Sequence, residues 1–249
     1  MSASTCTCKR YYLVGHRGYP AHYPENTLSG ILAAIAEGAD AVEFDIQISK
    51  DNIPIIFHDD TLLRTTGITG DLADYTYSLL ERISAHEPAR LGQIFLPEPI
   101  VSLTTLVNEL KKWPEIQAFA EIKSEIFQRQ SREKAIQSIG FSLTPIKSHC
   151  TIISFDLEIL YLARLQGFKI GWVLESMQAT SLAAAEQLNP EVLIIDYTRL
   201  PSTGPWPGPW QWFVYDITDA TIAQTAINQG ITYIETWDVA GLKTHFAQL

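Results

Sequence analysis

Residues 41–65 read AVEFDIQISKDNIPIIFHDDTLLRT. The first eight positions alternate between apolar and polar side chains, which is typical of a β-strand with two different faces. Glu43 and Asp45 are two positions apart, so they lie on the same face of this strand. After a short turn, Ile53–Phe57 can fold back on the strand as a hairpin, which would bring His58 close to both carboxylates. Two acids on one face of a strand indicate either exposure to solvent or a shared cation.

Outward from this stretch, strands alternate with helices along the chain. The predicted strands are Tyr11–Val14, Ala41–Ile48, Ile116–Ile122, Thr151–Ser154, Lys169–Leu174, Val192–Asp196, Trp212–Ile217 and Thr232–Thr236, with Ile53–Phe57 as an extra arm. The predicted helices are one from Asn26 to Gly38, then Ser102–Lys112, Glu125–Ile139, Leu157–Leu165, Gln178–Leu188, Ala220–Asn228 and Val239–Phe246, with Gly140, Gly167 and Gly230 closing several of them. Eight parallel strands predict a closed (β/α)₈ TIM barrel, an α/β fold, with an open doubly wound sheet as the alternative.

Two segments depart from this alternation within what we expect to be a single domain over residues 1–249, with an ordered core over 11–249. Residues 66–99 are a small insertion after strand 2, with a short helix over Tyr77–Ile83. The proline- and tryptophan-rich residues 201–212 form an irregular loop after strand 6, because so many prolines exclude a helix. Its tryptophans are either an aromatic plug that replaces the missing helix, or a lid or docking surface for a partner or lipid-like substrate.

The composition excludes several classes of partner. A net charge of −10 leaves no basic patch to neutralise a nucleic-acid backbone, so we expect no nucleic-acid partner, and it disfavours adsorption to anionic membranes. No apolar run approaches the ~18 residues of a membrane span, so no transmembrane segment is predicted. Three cysteines do not form a disulfide framework: we interpret Cys6 and Cys8 as part of a disordered tail, and Cys150 stands alone. We therefore expect a soluble, cytoplasmic protein.

Several motifs in the first half of the chain occur together in a fixed order. They are His16-Arg17-Gly18, Pro24-Glu25-Asn26-Thr27, Glu43-Phe44-Asp45 and His58-Asp59-Asp60-Thr61-Leu62-Leu63-Arg64-Thr65. This set resembles the signature of the glycerophosphodiester phosphodiesterase family. The second half of the chain is similar to the family mainly in its architecture.

The acids are candidates for a metal site. Glu121, at the end of the next barrel strand, is close enough in the fold to share an ion with Glu43 and Asp45, and three carboxylates suit the hard cations Mg²⁺ and Ca²⁺ equally well. The alternative is that the acids only pair with Arg17 and Lys123. The resemblance implies metal-ligand roles for the three acids.

Two histidines are candidates for proton transfer. Phosphodiester displacement needs one proton removed and one donated, and the resemblance assigns these tasks to His16 and His58 without deciding which is the acid. Arg17 and Lys123 are candidates for phosphate binding. The alternative for Arg17 is a salt bridge to Glu43.

Three further polar residues are expected to support the site. Asn26 is a candidate cap for the first helix, and Glu25 a residue that orients a metal ligand or a histidine. Asp59 is expected to orient His58 or to cap the next turn.

The barrel mouth departs from the family pattern near the end of the chain. Family members commonly have a W-T-V-N-like strand and then G-x-D-G-I-x-T-D-x-P, whereas this chain has VYDIT at residues 214–218 and GITYIETWD at 230–238. The residues at the barrel mouth therefore differ from the family pattern at Asp216, Glu235 and Trp237. The two acids would repel a bare phosphate but could accept hydrogen bonds from glycerol hydroxyls.

The resemblance implies a phosphoric diester hydrolase. The expected reaction is metal-dependent hydrolysis of a small glycerophosphodiester to glycerol 3-phosphate and an alcohol, either through a cyclic phosphate or by direct attack of water. The alternatives are a phospholipase acting on lysophospholipids and a catalytically silent barrel that binds a phosphorylated metabolite. The sequence does not define the oligomeric state.

Overall fold

The computed structural model describes residues 11–247. Its strands are β1 (Tyr12–Gly15), β2 (Ala41–Ile48), β3 (Pro54–Ile56), β4 (Gln117–Ile122), β5 (Cys150–Ser154), β6 (Lys169–Leu174), β7 (Val192–Asp196), β8 (Gln211–Tyr215) and β9 (Tyr233–Thr236). Its α-helices are α1 (Leu28–Ala36), α2 (Leu63–Thr66), α3 (Tyr77–Leu80), α4 (Pro88–Leu91), α5 (Leu103–Leu110), α6 (Arg132–Leu143), α7 (Leu157–Leu165), α8 (Ala179–Leu188), α9 (Ala220–Asn228) and α10 (Val239–Phe246). The tail that contains Cys6 and Cys8 lies outside the described residues.

Eight parallel strands close into a barrel, as the alternation of strands and helices predicts. The strand order is β1-β9-β8-β7-β6-β5-β4-β2, and β1 pairs with β2 to complete the circle. The open-sheet alternative is therefore wrong. The short β3 pairs antiparallel with the end of β2, with Ile46 opposite Ile56, so the predicted hairpin is confirmed.

The side chains of β2 alternate between the outside and the inside of the barrel. Its apolar residues Val42, Phe44 and Ile46 point outward and pack in the layer between the strands and the helices. The opposite face points into the barrel. The buried apolar residues of the interior are Val14, Ala41, Phe119, Ile153, Val173, Val192, Ile194, Phe213 and Tyr233. They fill the lower part of the barrel, below the carboxyl ends of the strands where TIM-barrel active sites lie.

The first helix begins one residue later than predicted. Thr27, not Asn26, is its N-cap, because the Thr27 hydroxyl accepts the backbone N–H of Gly30 at 3.1 Å. The helix ends as expected before Gly38, which adopts a left-handed conformation with φ of 89°. Asn26 is thereby free for another role.

The helix predicted over Glu125–Ile139 is wrong in its bounds. Residues 124–128 form a separate 3₁₀ turn, and α6 begins after Ser131, whose hydroxyl caps the backbone N–H of Lys134. Gly140 lies inside α6 and does not close it. A Cβ at Gly140 would lie 2.2 Å from Oε1 of Gln166, so the glycine allows close packing against the end of α7.

The insertion packs around a small core of its own. This core combines Ile55 and Phe57 of the hairpin and Leu62, which precedes the insertion, with Leu72, Leu80 and Ala85 of the insertion and Ile100 after it. The helix predicted over Tyr77–Ile83 is shorter, Tyr77–Leu80. The insertion thus supports the hairpin that carries His58.

The tryptophan-rich loop covers the outside of the barrel between β7 and β8. Trp210 and Trp212 are buried in the outer core, and Trp206 packs edge-to-face on Trp212 with ring centroids 6.0 Å apart. The indole N–H of Trp212 donates to the carbonyl of Trp206 at 2.9 Å. These contacts are those of an aromatic plug in place of a helix, and two of the three rings are unavailable as a lipid-docking surface.

Across residues 11–247, every helix is too short or too polar to span a bilayer.

Candidate active site

The first polar residues of the site follow β1. Gly18 has a left-handed φ of 96°, and a Cβ there would lie only 2.6 Å from the backbone carbon of Gly30. The glycine therefore lets the loop turn tightly over α1. This turn leaves His16 almost fully buried at the barrel mouth, with Arg17 beside it.

The three predicted ligand acids converge at the same end of the barrel. Asp45 on β2 is directly in register with Glu121 on β4, and Glu43 precedes Asp45 on the same inward face. One carboxylate oxygen from each of the three lies within 4.8 Å of the other two. Parallel strands thus bring together acids that are 78 positions apart in the chain (121 − 43).

Two cationic side chains reach this acidic group. Arg17 Nε lies 3.1 Å from Asp45 Oδ2, and Lys123 Nζ lies 2.9 Å from Glu121 and 3.5 Å from Asp45. The salt bridge from the Arg17 side chain to Glu43, the alternative to phosphate binding, is absent within the described residues. It is the backbone N–H of Arg17 that donates to Glu43 Oε2, at 3.0 Å.

Glu43 is the acid left incompletely paired. Its Oε1 atom is buried and makes no hydrogen bond within residues 11–247. A buried carboxylate oxygen without a partner is energetically costly. Three acids beside only two cationic side chains also leave one negative charge uncompensated. Both observations fit the binding of a divalent cation by oxygen ligands, and the absence of a cysteine from the group argues against a soft-metal site.

The pKa values of the three acids differ because their neighbours differ. Burial raises the pKa of Glu43, and the charges of Asp45 and Glu121 raise it further, well above its usual range. Burial and the charge of Asp45 likewise raise the pKa of Glu121. Burial would also raise the pKa of Asp45, but the charges of Arg17 and Lys123 outweigh it and lower that pKa.

The hairpin β2–β3 delivers His58 to the same end of the barrel as the acids. The side-chain amide of Gln47 donates to the backbone carbonyl of His58 at 3.1 Å, which fixes the end of the hairpin. The His58 Nδ1 atom lies 2.7 Å from Asp59 Oδ1, so Asp59 orients the ring and leaves Nε2 for a ligand.

Asp59 and Glu25 are joined by Arg64. The guanidinium of Arg64 donates to both carboxylates over 2.7–2.8 Å. Burial would raise the pKa of both acids, but the hydrogen bond from His58 to Asp59 and those from Arg64 outweigh it, so both pKa values are lowered. Arg64 falls within the quoted motif, but sequence reasoning gave it no role.

The roles expected of Glu25 and Asn26 change. Glu25 contacts the two arginines Arg17 and Arg64 and no histidine. Asn26 brackets Asp45: its amide donates to Asp45 Oδ2 at 2.8 Å, and its Oδ1 accepts the Asp45 backbone N–H at 3.0 Å. The left-handed φ of 52° at Asn26 suits asparagine and directs the side chain away from the helix.

The far wall of the site is formed by the ends of β8 and β9. The indole N–H of Trp237 donates to His16 Nδ1 at 2.7 Å. Asp216 Oδ1 lies 2.5 Å from the same nitrogen, and Glu235 is 3% exposed. Sequence reasoning placed these residues at the mouth, but it did not connect any of them to His16, because the register of β9 with β1 is needed for that.

A cavity of about 170 Å³ connects these groups. Its polar wall holds His16, Arg17, Glu43, His58, Glu121, Lys123, Asp216 and Glu235. The apolar side chains that line it are Ile153, Phe155, Val173, Ile194 and Phe213, together with the ring of Tyr215. Burial raises the pKa of Tyr215 to about 12, with smaller effects from Asp196 and Glu121, so its phenol stays protonated at neutral pH.

A profile of the glycerophosphoryl diester phosphodiesterase family matches residues 16–188, more than half of the chain. The chain belongs to this family. It is 30% identical to human glycerophosphodiester phosphodiesterase 1 over 155 residues, which cover 62% of this chain and 46% of that relative. It is 33% identical to a glycerophosphodiester phosphodiesterase of Bacillus altitudinis over 134 residues, covering 48% of this chain and 55% of that one. The chain thus spans about half the length of the curated relatives it matches.

Solved structures of the family share the barrel fold. An Oleispira antarctica phosphodiesterase in complex with the product sn-glycerol-3-phosphate superimposes with a TM-score of 0.82, at 22% identity, over 95% of this chain and 96% of that one. A Silicibacter pomeroyi relative also gives 0.82, at 15% identity, over 96% and 93% of the two chains. At these identities the structural similarity establishes only the TIM-barrel fold. A function has to be argued from the residues of the site.

Proposed function

We propose that this protein hydrolyses glycerophosphodiesters to glycerol 3-phosphate and an alcohol, using a divalent cation held by Glu43, Asp45 and Glu121. The observation that carries the proposal is the convergence of these three acids, with Glu43 Oε1 unpaired, at a cavity that Glu43 and Glu121 line together with His16 and His58. Mg²⁺ and Ca²⁺ both satisfy this oxygen-only group. When bound, the cation supplies positive charge that stabilises the phosphoryl oxygens in the transition state.

The chain's own cations bind the phosphate. Arg17 uses Nη1 on Glu25 and Nε on Asp45, so Nη2 is the nitrogen that we assign to a phosphate oxygen. Lys123 lies beside the same acids and adds a second positive charge. Burial lowers the pKa of the Lys123 amine, but the charges of Asp45 and Glu121 outweigh it, so Lys123 stays fully protonated.

The two histidines move the protons. One removes the proton of the attacking oxygen and the other protonates the departing alcohol oxygen. His16 follows β1 and His58 follows β3, and both side chains line the same cavity. Asn26 holds Asp45 from two directions, so the acids stay aligned before substrate binds. Asp59 likewise holds the His58 ring in position through its contact with Nδ1.

The proposal is tested by incubating metal-stripped protein with glycerophosphocholine and following the products by ³¹P NMR. We expect sn-glycerol 3-phosphate to appear when Mg²⁺ or Ca²⁺ is added and to stop forming when EDTA is added. A transient glycerol cyclic phosphate would identify attack by the substrate's own hydroxyl. If neither glycerophosphocholine nor a lysophospholipid is hydrolysed with either ion, the protein is not a hydrolase of these esters. The remaining alternative is then a catalytically silent barrel that binds a phosphorylated metabolite.

A further inference from the structure

Glu87 lies in the second half of the insertion, and the proposed function gives it no role. Its side chain is buried, with 6% of its surface exposed. Acidic side chains are rarely buried unless they are paired. Its backbone has a left-handed φ of 48°, which is uncommon for a residue other than glycine. A buried acid in such a conformation indicates that the surrounding contacts hold it in place.

The Glu87 carboxylate contacts the loop that follows β1, residues 16–26. Its Oε1 atom accepts the backbone N–H of Glu25 at 2.6 Å. The backbone N–H of Glu87 donates to the carbonyl of Thr65 at 2.8 Å, next to Arg64 in the chain. Glu87 therefore contacts both of the segments whose side chains, Glu25 and Arg64, pair with each other beside the site.

Arg90 joins Glu87 to further points of the same loop. Its guanidinium donates to both oxygens of Glu87, at 2.7 and 2.8 Å. It also donates to the backbone carbonyls of Pro20 and Tyr23, the latter at 2.6 Å. Tyr23 packs in turn against Phe95 of the insertion, with ring centroids 5.3 Å apart. We call Glu87 and Arg90 the loop clamp, because together they tie the insertion to the loop after β1.

The loop held by this clamp carries Arg17. The backbone carbonyl of Arg17 accepts the N–H of Asn26 at 2.9 Å, and its Nη1 donates to Glu25, also at 2.9 Å. Arg17 has a left-handed φ of 51° as well. Both of these contacts join Arg17 to the stretch whose N–H is bound by Glu87. A shift of the Glu87 carboxylate is therefore passed to the guanidinium whose Nη2 we assign to a phosphate oxygen.

We propose that Glu87 is a positioning residue, which through Glu25 holds the guanidinium of Arg17 where it meets the phosphate of the substrate. This inference rests on the phosphodiesterase function proposed above. The insertion then contributes to substrate binding, in addition to supporting the hairpin that carries His58.

This role requires a carboxylate at position 87. The groups that contact the two oxygens of Glu87 are N–H donors from Glu25 and Arg90. A carboxylate offers only acceptors, whereas a glutamine amide of the same size would turn two donors of its own toward one of these groups. Glu87→Gln therefore disturbs the clamp with little change in volume.

The test is a double-mutant cycle between Glu87→Gln and Arg17→Met, with glycerophosphocholine as the substrate. We expect Glu87→Gln alone to lower kcat/KM about tenfold, mainly through a higher KM, because the phosphate contact is misplaced. When Arg17→Met is already present, Glu87→Gln should change kcat/KM by about twofold or less. The matched control Glu81→Gln, exposed in the same insertion, should have no effect in either background.

A second measurement reports on the loop without turnover. Hydrogen exchange followed by mass spectrometry should show faster exchange over residues 16–26 in Glu87→Gln, and unchanged exchange over β5 and α7. Arg90→Met removes the same contact from the exposed side of the clamp. It should have the same effects on exchange and on kcat/KM, and it replaces Glu87→Gln in both measurements if that variant does not fold.

The outcomes separate this inference from the proposed function. If Glu87→Gln lowers kcat/KM by the same factor with and without Arg17, its role is merely structural, and the inference is overturned while hydrolysis stands. If hydrolysis is undetectable, in the wild type or only in Arg17→Met, exchange decides: faster exchange confined to residues 16–26 supports the clamp, and an unchanged rate overturns it. Only an inactive wild type also contradicts the proposed function.

Discussion

Trp237 donates its indole N–H to Nδ1 of His16 across 2.7 Å, although the two residues are 221 positions apart. The contact exists because β9 pairs in parallel with β1, with Thr236 opposite Gly15. It holds the orientation of the imidazole, and Asp216 Oδ1 lies 2.5 Å from the same nitrogen. A residue near the end of the described chain thus positions one near its beginning.

Trp237→Phe removes this donor and keeps most of the ring. We expect kcat to fall about tenfold with a smaller change in KM, because the imidazole then loses a hydrogen bond that holds its orientation. The pH profile of kcat should also move. Trp113→Phe, on the protein surface, is the control and should change neither quantity. An unaltered profile in Trp237→Phe would show that the hydrogen bond does not act through His16.

Replacing either of the histidines that we propose to move protons should abolish most of the activity without unfolding the barrel. We expect His16→Ala and His58→Ala each to lower kcat by about 10²–10⁴-fold, the range for loss of a general acid or base. Circular dichroism checks the fold, and the exposed His245→Ala serves as the control. A variant that keeps more than a tenth of the activity would remove that histidine from the proton transfers.

The Glu43 carboxyl group should lower the stability of the metal-free protein. Its pKa is raised by burial, Asp45 and Glu121, so its ionised form is disfavoured in the folded state. We expect Glu43→Gln to raise the Tm of EDTA-treated protein and to remove most of the further increase caused by Mg²⁺ or Ca²⁺. Thermal unfolding with and without the cation measures both effects. A full cation-induced increase in the variant would exclude Glu43 as a ligand.

The Asp45 carboxylate should instead stabilise the metal-free protein. The charges of Arg17 and Lys123 outweigh burial and lower its pKa, so the ionised form is favoured in the folded state. Asp45→Asn leaves these two cations with one partner fewer and should destabilise the metal-free protein by about 3 kcal/mol. Urea unfolding measures the change. Equal effects of the amide substitutions at Glu43 and Asp45 would contradict the difference in their surroundings.

Arg64 should make stability depend on pH on the acid side. Burial raises the pKa values of Asp59 and Glu25, but hydrogen bonds to Arg64 and its charge help to lower both below those of the unfolded chain. The resulting stability is therefore present above about pH 4, where unfolded carboxyl groups titrate, and is lost as the pH falls through the lower folded values. Arg64→Met should cost about 2 kcal/mol at pH 7 and progressively less on acidification.

Urea midpoints at pH 7 and at pH 3 measure this difference. The exposed Arg82→Met is the control, and its small effect should not vary between the two pH values. A cost of Arg64→Met that is the same at both pH values would mean that the hydrogen bonds do not perturb the two acids.

The barrel could be predicted from the sequence because each strand and helix carries its own local pattern. The alternation of β2 identified the inward face of Glu43 and Asp45, and the apolar run after the turn identified the hairpin that carries His58. The bounds of the helices were harder to predict from the sequence. The start of α6 depends on the cap at Ser131, and the place of Gly140 inside that helix depends on packing against Gln166, which no local pattern reveals.

Contacts between distant parts of the chain could not be predicted. Asn26 was a plausible helix cap, yet the helix had an equally good cap in Thr27, and the register of β2 left Asn26 beside Asp45. The pairing of Arg64 with Glu25 and of Trp237 with His16 likewise depends on the closure of the barrel. Sequence identified the reactive groups, and the fold determined their partners.

We propose that the acids of β2 and β4 hold one divalent cation beside the two histidines. Anomalous diffraction from crystals soaked in Mn²⁺ tests it most directly. We expect a single strong peak bonded to carboxylate oxygens of Glu43, Asp45 and Glu121. A peak at Asp216 and Glu235 instead, or none at the three acids while Mn²⁺ supports hydrolysis in solution, would contradict it.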